Sequence, residues 1–175
     1  AEEVMVERDV TLSGLTDGSV HIAHMSTRGS LRAVRSGKDR GINVTCEVTP
    51  HHFTLTDEEL SYDTNYKMNP PLRDAHHRAG LWRGIQRGIV DVIGSDHAPH
   101  LLEEKAKPYP QSPSGMPGVQ TLVPVMLDHV NAGRLTIERF VDLTSAGAQR
   151  IFGIAGKGRM AVGWDADFTL VDMKR

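Results

Sequence analysis

The ten residues Asp91–His100, DVIGSDHAPH, end an apolar run on Asp96 and place His97 and His100 just beyond it. A carboxylate beside imidazoles suits a borderline metal such as zinc, which takes nitrogen and oxygen ligands and in catalytic sites keeps one position open for water. Two earlier apolar runs end in the same way: VHIAHM closes on His24, and NVTCEV leads into the pair His51 and His52. Each of these residues also has a plain structural reading. An isolated histidine is more often a packed or surface group, adjacent strand residues such as His51 and His52 face opposite ways, and Asp96 could simply cap a turn. A carboxylate and two imidazoles at successive strand ends are a different matter, and jointly they point to a metal site.

The elements that must position these groups alternate along the chain. Val4, Met5, Leu12 and Leu15 fall roughly on one face of an opening helix that Gly18 stops. Val20–Met25 reads as a strand, Thr27 as the cap of a helix reaching about Arg40, and Asn43–Val48 as a second strand followed by a polar loop containing TDEEL. Tyr66–Asn69 reads as a brief third strand cut off by Pro70 and Pro71, Asp74 as the start of a helix to about Gly88, and Val90–Ser95 as a fourth, buried strand. A loop rich in Pro, Gly and Ser spans about Leu101–Gly118, long enough to suggest a functional role. Helices over about Val119–Ala132 and Ile137–Phe152, then a terminal strand in DADFTLVD, complete the pattern.

Strands separated by helices imply parallel βαβ units, and in a β/α barrel the C-terminal strand ends share one face. His24, His52, Asn69 and Asp96 each lie at such an end. Four strands cannot close an eight-stranded barrel, so the rest must come from further sequence or from a second copy. The opening AEEVMVERDV, helical in pattern with no initiator Met, suggests a fragment or processed piece.

Composition narrows the function classes. Lys and Arg number 20 against 22 Asp and Glu, for a formal charge of −2, so nothing favours nucleic acid or an anionic membrane. The single cysteine, Cys46, cannot form an internal disulfide; it fits a reducing cytoplasm and reads as packing. No apolar run approaches a membrane span. His76 and His77 read as a solvated helix start, His129 as a surface residue of an amphipathic helix, and GKGRMAVGWDAD as a turn lacking phosphate-loop spacing.

VHIAHMST, VTCEVTPHHFTLTDEEL, YKMNPPLRD, IGSDHAPH and GWDADFTLVD, in this order and at these separations, resemble the second half of bacterial dihydroorotases of the amidohydrolase superfamily. The resemblance implies an α/β fold: a partial (β/α)8 TIM barrel, strands 5 to 8, over residues 1–160, and the start of a small β-sandwich domain over 161–175. It implies zinc, one or two ions in the whole enzyme, with His24, His52 and Asp96 as ligands and Asp96 as the catalytic proton shuttle. His52 is preferred to His51 because the family's ligand precedes an aromatic or leucine position, here Phe53; His21 and His97 become supporting or packing groups. Asn69, His100, Ser114 and Gly115 match positions that contact substrate. The implied reaction is reversible hydrolysis of dihydroorotate to carbamoyl aspartate in pyrimidine synthesis, by a cytoplasmic homodimer for which the resemblance offers aspartate transcarbamoylase as a candidate partner.

The departures from the family pattern are equally specific. The chain has no His-x-His pair and no bridging carboxylate, so the isolated chain is expected to be inactive, and Gln120 stands where many relatives have Glu. An allantoinase or hydantoinase, and a noncatalytic scaffold that has lost its ligands, are the alternatives.

Overall fold

Strand β2, Asn43–Val48, shows how the sequence builds the sheet. Its residues alternate, so Val44, Cys46 and Val48 are buried on one face while Thr45 and Glu47 lie half-buried on the other. In the computed structural model, which describes residues 1–59 and 63–173, β2 is the centre of a three-stranded parallel sheet. Strand β1, Ser19–Ile22, pairs with it in the register Ser19 to Asn43 through Ile22 to Cys46, and β3, Val92–Ile93, pairs at Glu47 and Val48. Single backbone bonds carry the pairing further: Met25 N donates to Glu47 O at 3.1 Å, and Gly94 N donates to Val48 O at 3.1 Å. Both extensions bring the following residues, His24 and Asp96, to one end of the sheet.

The apolar face of the sheet is covered by helices α1 (Glu2–Thr16), α2 (Arg28–Asp39) and α4 (Ala75–Gln86). Leu31, Val34, Leu81 and Ile85 pack with Val44, Cys46 and Val48 into one core. The expected caps are present: Thr27 Oγ1 accepts from Ser30 N at 3.2 Å and Asp74 Oδ1 from His77 N at 3.0 Å. Further elements are α3 (Pro50–Thr54), α5 (Leu102–Lys105), α6 (Leu122–Asn131), α7 (Ile137–Val141) and α8 (Gly147–Phe152).

Four expectations are corrected. Tyr66–Asn69 is not a strand: Thr64–Tyr66 forms a 3-10 turn, and Pro70 and Pro71 can donate nothing to a ladder, so three strands stand where four were expected. Residues 165–172 are not a strand, having no pairing partner among the described residues, and Phe168 and Leu170 are exposed. The single helix expected over Ile137–Phe152 is interrupted by a π turn at Asp142–Ala146, where Asp142 holds both Arg139 and Arg150. In α1 the buried stripe is Val6, Val10 and Ser13, while Val4, Met5, Leu12 and Leu15 are exposed; the sheet takes the valines two positions along. The TDEEL loop runs into residues 60–62, which lie outside those described.

Candidate metal and substrate site

Among the described residues, three non-glycine residues have positive φ: Asp17, His24 and Asp96. Asp17 is the C-cap of α1, a position where a left-handed residue is ordinary. His24 (φ 52°) and Asp96 (φ 45°) are not at helix ends; each follows a strand of the sheet. A non-glycine residue held there stores strain of about 1–3 kcal/mol, and such strain collects where function fixes a side chain.

The two side chains meet. His24 Nε2 lies 3.7 Å from Asp96 Oδ1, too far for a hydrogen bond. Two ligands about 2.0–2.2 Å from one tetrahedral zinc stand roughly 3.3–3.6 Å apart, so the spacing is close to that of a ligand pair on one ion. The other ring nitrogen, His24 Nδ1, is 2.6 Å from Glu47 Oε1. Glu47 is a residue that the sequence reading passed over as part of a strand. Its second oxygen lies 3.3 Å from His21 Nε2, and His21 Nδ1 lies 2.8 Å from Thr45 Oγ1, so the polar face of the sheet carries a connected chain of groups ending at Asp96.

His52 does not join them. Its Nδ1 is 2.6 Å from Thr49 Oγ1 and its Nε2 is 2.8 Å from Pro70 O, so Nε2 carries a proton that it donates to the carbonyl, and Nδ1 accepts from the hydroxyl. The expected trio of His24, His52 and Asp96 is therefore corrected to a pair, and no three His, Cys, Asp or Glu side chains converge as metal ligands among the described residues. What the sequence reading set aside is His51, buried at 6% exposure with Nε2 lacking any partner.

The positions expected to contact substrate lie on neighbouring segments. His100 Nε2 donates to Ser114 O at 3.0 Å, and Gly115 N donates to Lys67 O at 2.9 Å. Gly115 has φ +130°, and a Cβ there would lie 2.8 Å from Ala98 O, so only glycine lets this loop lie against the segment after Asp96. Asn69 and Ser114 line one open cleft of about 1490 Å3 with Lys67 and Tyr109. His97 is a structural group: its Nδ1 accepts from Gly118 N at 3.0 Å. His76 and His77 both contact Arg28, the first through its guanidinium at 2.9 Å and the second by accepting from its backbone N–H at 3.1 Å.

His129 is a further correction. It is 4% exposed rather than on the surface, with its ring edge-on to Trp82 at 4.3 Å, because α6 turns this face toward α3 and α4. Burial lowers His129 and His52, and it pushes His51 down to about 3 with the rings of His52 and His24 adding to the effect. A histidine kept neutral by the fold takes up a proton on unfolding, so its contribution to stability falls as pH drops below about 6.5. His24 has the opposite sign: its hydrogen bond with Glu47 raises it, a contribution present below about 6.5 and lost as pH rises through the raised value. Burial would push Glu47 up, but hydrogen bonds from His21 and His24 outweigh it and hold it down at about 2, a contribution lost only in stronger acid. With three histidines lowered and one raised, the free energy of unfolding is expected to decline from about pH 6.5 toward 3. Urea denaturation across that range checks this, and stability that stays flat or rises with acid would contradict it.

The family model for the amidohydrolase family matches residues 11–175. The chain belongs to the amidohydrolase family. Among its relatives in this family, a dihydroorotase of Pelotomaculum thermopropionicum is 50% identical over 174 residues, covering 98% of this chain and 40% of the relative. A dihydroorotase of Brevibacillus brevis is 42% identical over 177 residues, covering 99% of this chain and 41% of the relative. Solved structures are similar in fold: D-hydantoinase from Thermus sp. has a TM-score of 0.88 at 32% identity, over 95% of this chain and 38% of that one. Dihydropyrimidinase from Brevibacillus agri has a TM-score of 0.89 at 29% identity, over 95% of this chain and 38% of that one. The chain thus spans about 40% of the length of the curated relatives it matches. No helix among the described residues is long and apolar enough to cross a membrane.

Proposed function

We propose that this chain is part of a dihydroorotase, a zinc-dependent cytoplasmic enzyme that opens dihydroorotate to carbamoyl aspartate and closes it again. The single observation that carries the proposal is the meeting of His24 and Asp96, both at positive φ beyond parallel strands, in a chain 50% identical to a dihydroorotase. In this reading the three βα units belong to a (β/α)8 barrel, residues 161–175 begin a small β domain, and the chain alone is inactive. Homodimerisation and association with aspartate transcarbamoylase belong to the same reading and rest on the resemblance alone.

His24 Nε2 and an Asp96 oxygen would hold zinc, two donors where a catalytic zinc commonly takes three from protein. When bound, zinc acts as a Lewis acid that activates water and polarises the scissile carbonyl. The chain's own residues do the rest. Asp96 accepts the proton released from the nucleophile and returns it to the leaving ring nitrogen, as general base and then general acid. His100 Nε2 donates to Ser114 O, which fixes the ring that would contact the substrate carboxylate. Asn69, exposed on the cleft, contacts the ring, and the Ser114–Gly115 backbone closes over it.

The test is a chimera in which this chain replaces the matching segment of the Pelotomaculum thermopropionicum dihydroorotase. It is expected to open dihydroorotate in preference to hydantoin or dihydrouracil. The fold similarity to hydantoinases supports a second reading, and a chimera that prefers the rings without a carboxylate would establish it in place of the first.

A further inference from the structure

We propose that Glu47 is a positioning residue that holds the His24 ring with its proton on Nδ1 and its bare Nε2 turned toward Asp96. This rests on the reading of His24 and Asp96 as metal ligands and extends it to a residue outside that pair. Four observations on the sheet carry it.

First, His24 Nδ1 is buried and has no hydrogen bond of regular geometry among the described residues, yet it lies 2.6 Å from Glu47 Oε1; a ring nitrogen and a carboxylate oxygen that close repel unless a proton lies between them, and the imidazole is the group that carries one. Second, the Glu47 side chain is 13% exposed, and among the described residues both of its charge partners are imidazoles, His24 on Oε1 and His21 on Oε2. A carboxylate shared in this way is fixed at both oxygens and cannot rotate away from His24. Third, His21 is itself anchored, its Nδ1 standing 2.8 Å from Thr45 Oγ1, so the bracing runs back into β2. Fourth, space is reserved for the carboxylate: a Cβ on Gly94 would lie 2.4 Å from Glu47 Oε1, so the residue directly after β3 must be glycine for Glu47 to stand where it does.

The consequence is chemical. A histidine binds a metal through the nitrogen that carries no proton, and the hydrogen bond made by the other nitrogen decides which one that is. Glu47 faces the Nδ1–H as its acceptor and leaves the Nε2 lone pair free on the side of Asp96. A free imidazole would be under no such constraint. The positive φ of His24 aims the ring, and Glu47 sets its tautomer and stops its rotation.

The experiment reads the tautomer directly. Long-range nitrogen-proton NMR of the metal-free, 15N-histidine-labelled 175-residue chain, at alkaline pH where His24 is neutral, is expected to show the His24 proton on Nδ1. Glu47→Gln, whose amide oxygen can accept the same hydrogen bond, is expected to keep it there. Glu47→Ala is expected to move it to Nε2. Wild-type protein with the proton on Nε2 overturns the proposal whether or not the alanine variant folds, and so does a folded Glu47→Ala chain with an unchanged tautomer. Zinc affinity, by competition with a chromogenic chelator, gives the second readout: about 10- to 100-fold weaker in Glu47→Ala and nearly restored in Glu47→Gln. Equal affinity in all three overturns the role toward zinc. A wild-type chain that binds no zinc removes the metal reading itself, while the tautomer result still decides whether Glu47 orients the ring.

Discussion

Asp96→Asn is expected to lower kcat/KM for dihydroorotate by about 10²- to 10⁴-fold in the chimera with the Pelotomaculum thermopropionicum enzyme, the range that loss of a positioned general base produces. Asparagine is the informative replacement because Asp96 sits at φ 45°, where Asn is tolerated and most other side chains are strained. The variant thus keeps backbone and shape while removing the charge that takes up the proton and helps hold the metal. Stability by urea denaturation should be nearly unchanged, separating loss of chemistry from loss of fold. A fall of less than about tenfold would mean that Asp96 is not the proton shuttle.

Lys105→Met is expected to release the substrate loop. Lys105 is 6% exposed, and its ammonium donates to three backbone carbonyls, Lys67 O, Pro113 O and Gly115 O, each at 3.0 Å. These carbonyls lie on the two segments that carry Asn69, Ser114 and Gly115. A buried lysine is tolerated only when its donors are satisfied, and here all three are. Burial lowers its pKa, with the nearby Lys67 adding to the effect. Methionine keeps the length of the side chain and none of the donors, which takes the ammonium from Pro113 O and Gly115 O beneath the loop and leaves Lys67 O with Gly115 N alone. Hydrogen exchange should show residues 112–118 opening on the order of tenfold or more faster, while amides of β2 exchange as before. Unchanged exchange in the loop would show that the loop is held by other contacts.

How much of this was legible in the sequence depends on what each inference needed. Helix starts at Thr27 and Asp74 were readable because a cap is a local device, and β2 was readable because period-two burial is written in its side chains. Asp96 and His24 were readable as strand-end groups, since polar residues at the exit of apolar runs are visible without coordinates. The choice between His51 and His52 was not, because it depends on Thr49 Oγ1 and Pro70 O closing around one ring, which are contacts made only on folding. Glu47 was hidden by its own alternation: a polar residue at an outward position of a strand looks like solvent-facing polarity until His24 is seen beside it. His129 was misplaced for the converse reason, a polar residue whose ring happens to meet Trp82. The supposed third strand failed because two prolines decided the matter against a short apolar signal.

Whether His24 and Asp96 share one zinc ion is read from a crystal of the 175-residue chain soaked in zinc, with anomalous scattering measured at the zinc edge. A peak is expected between His24 Nε2 and the Asp96 carboxylate, about 2.0–2.2 Å from each, with none at His52. A peak at His52, or no zinc between His24 and Asp96, would contradict the shared site.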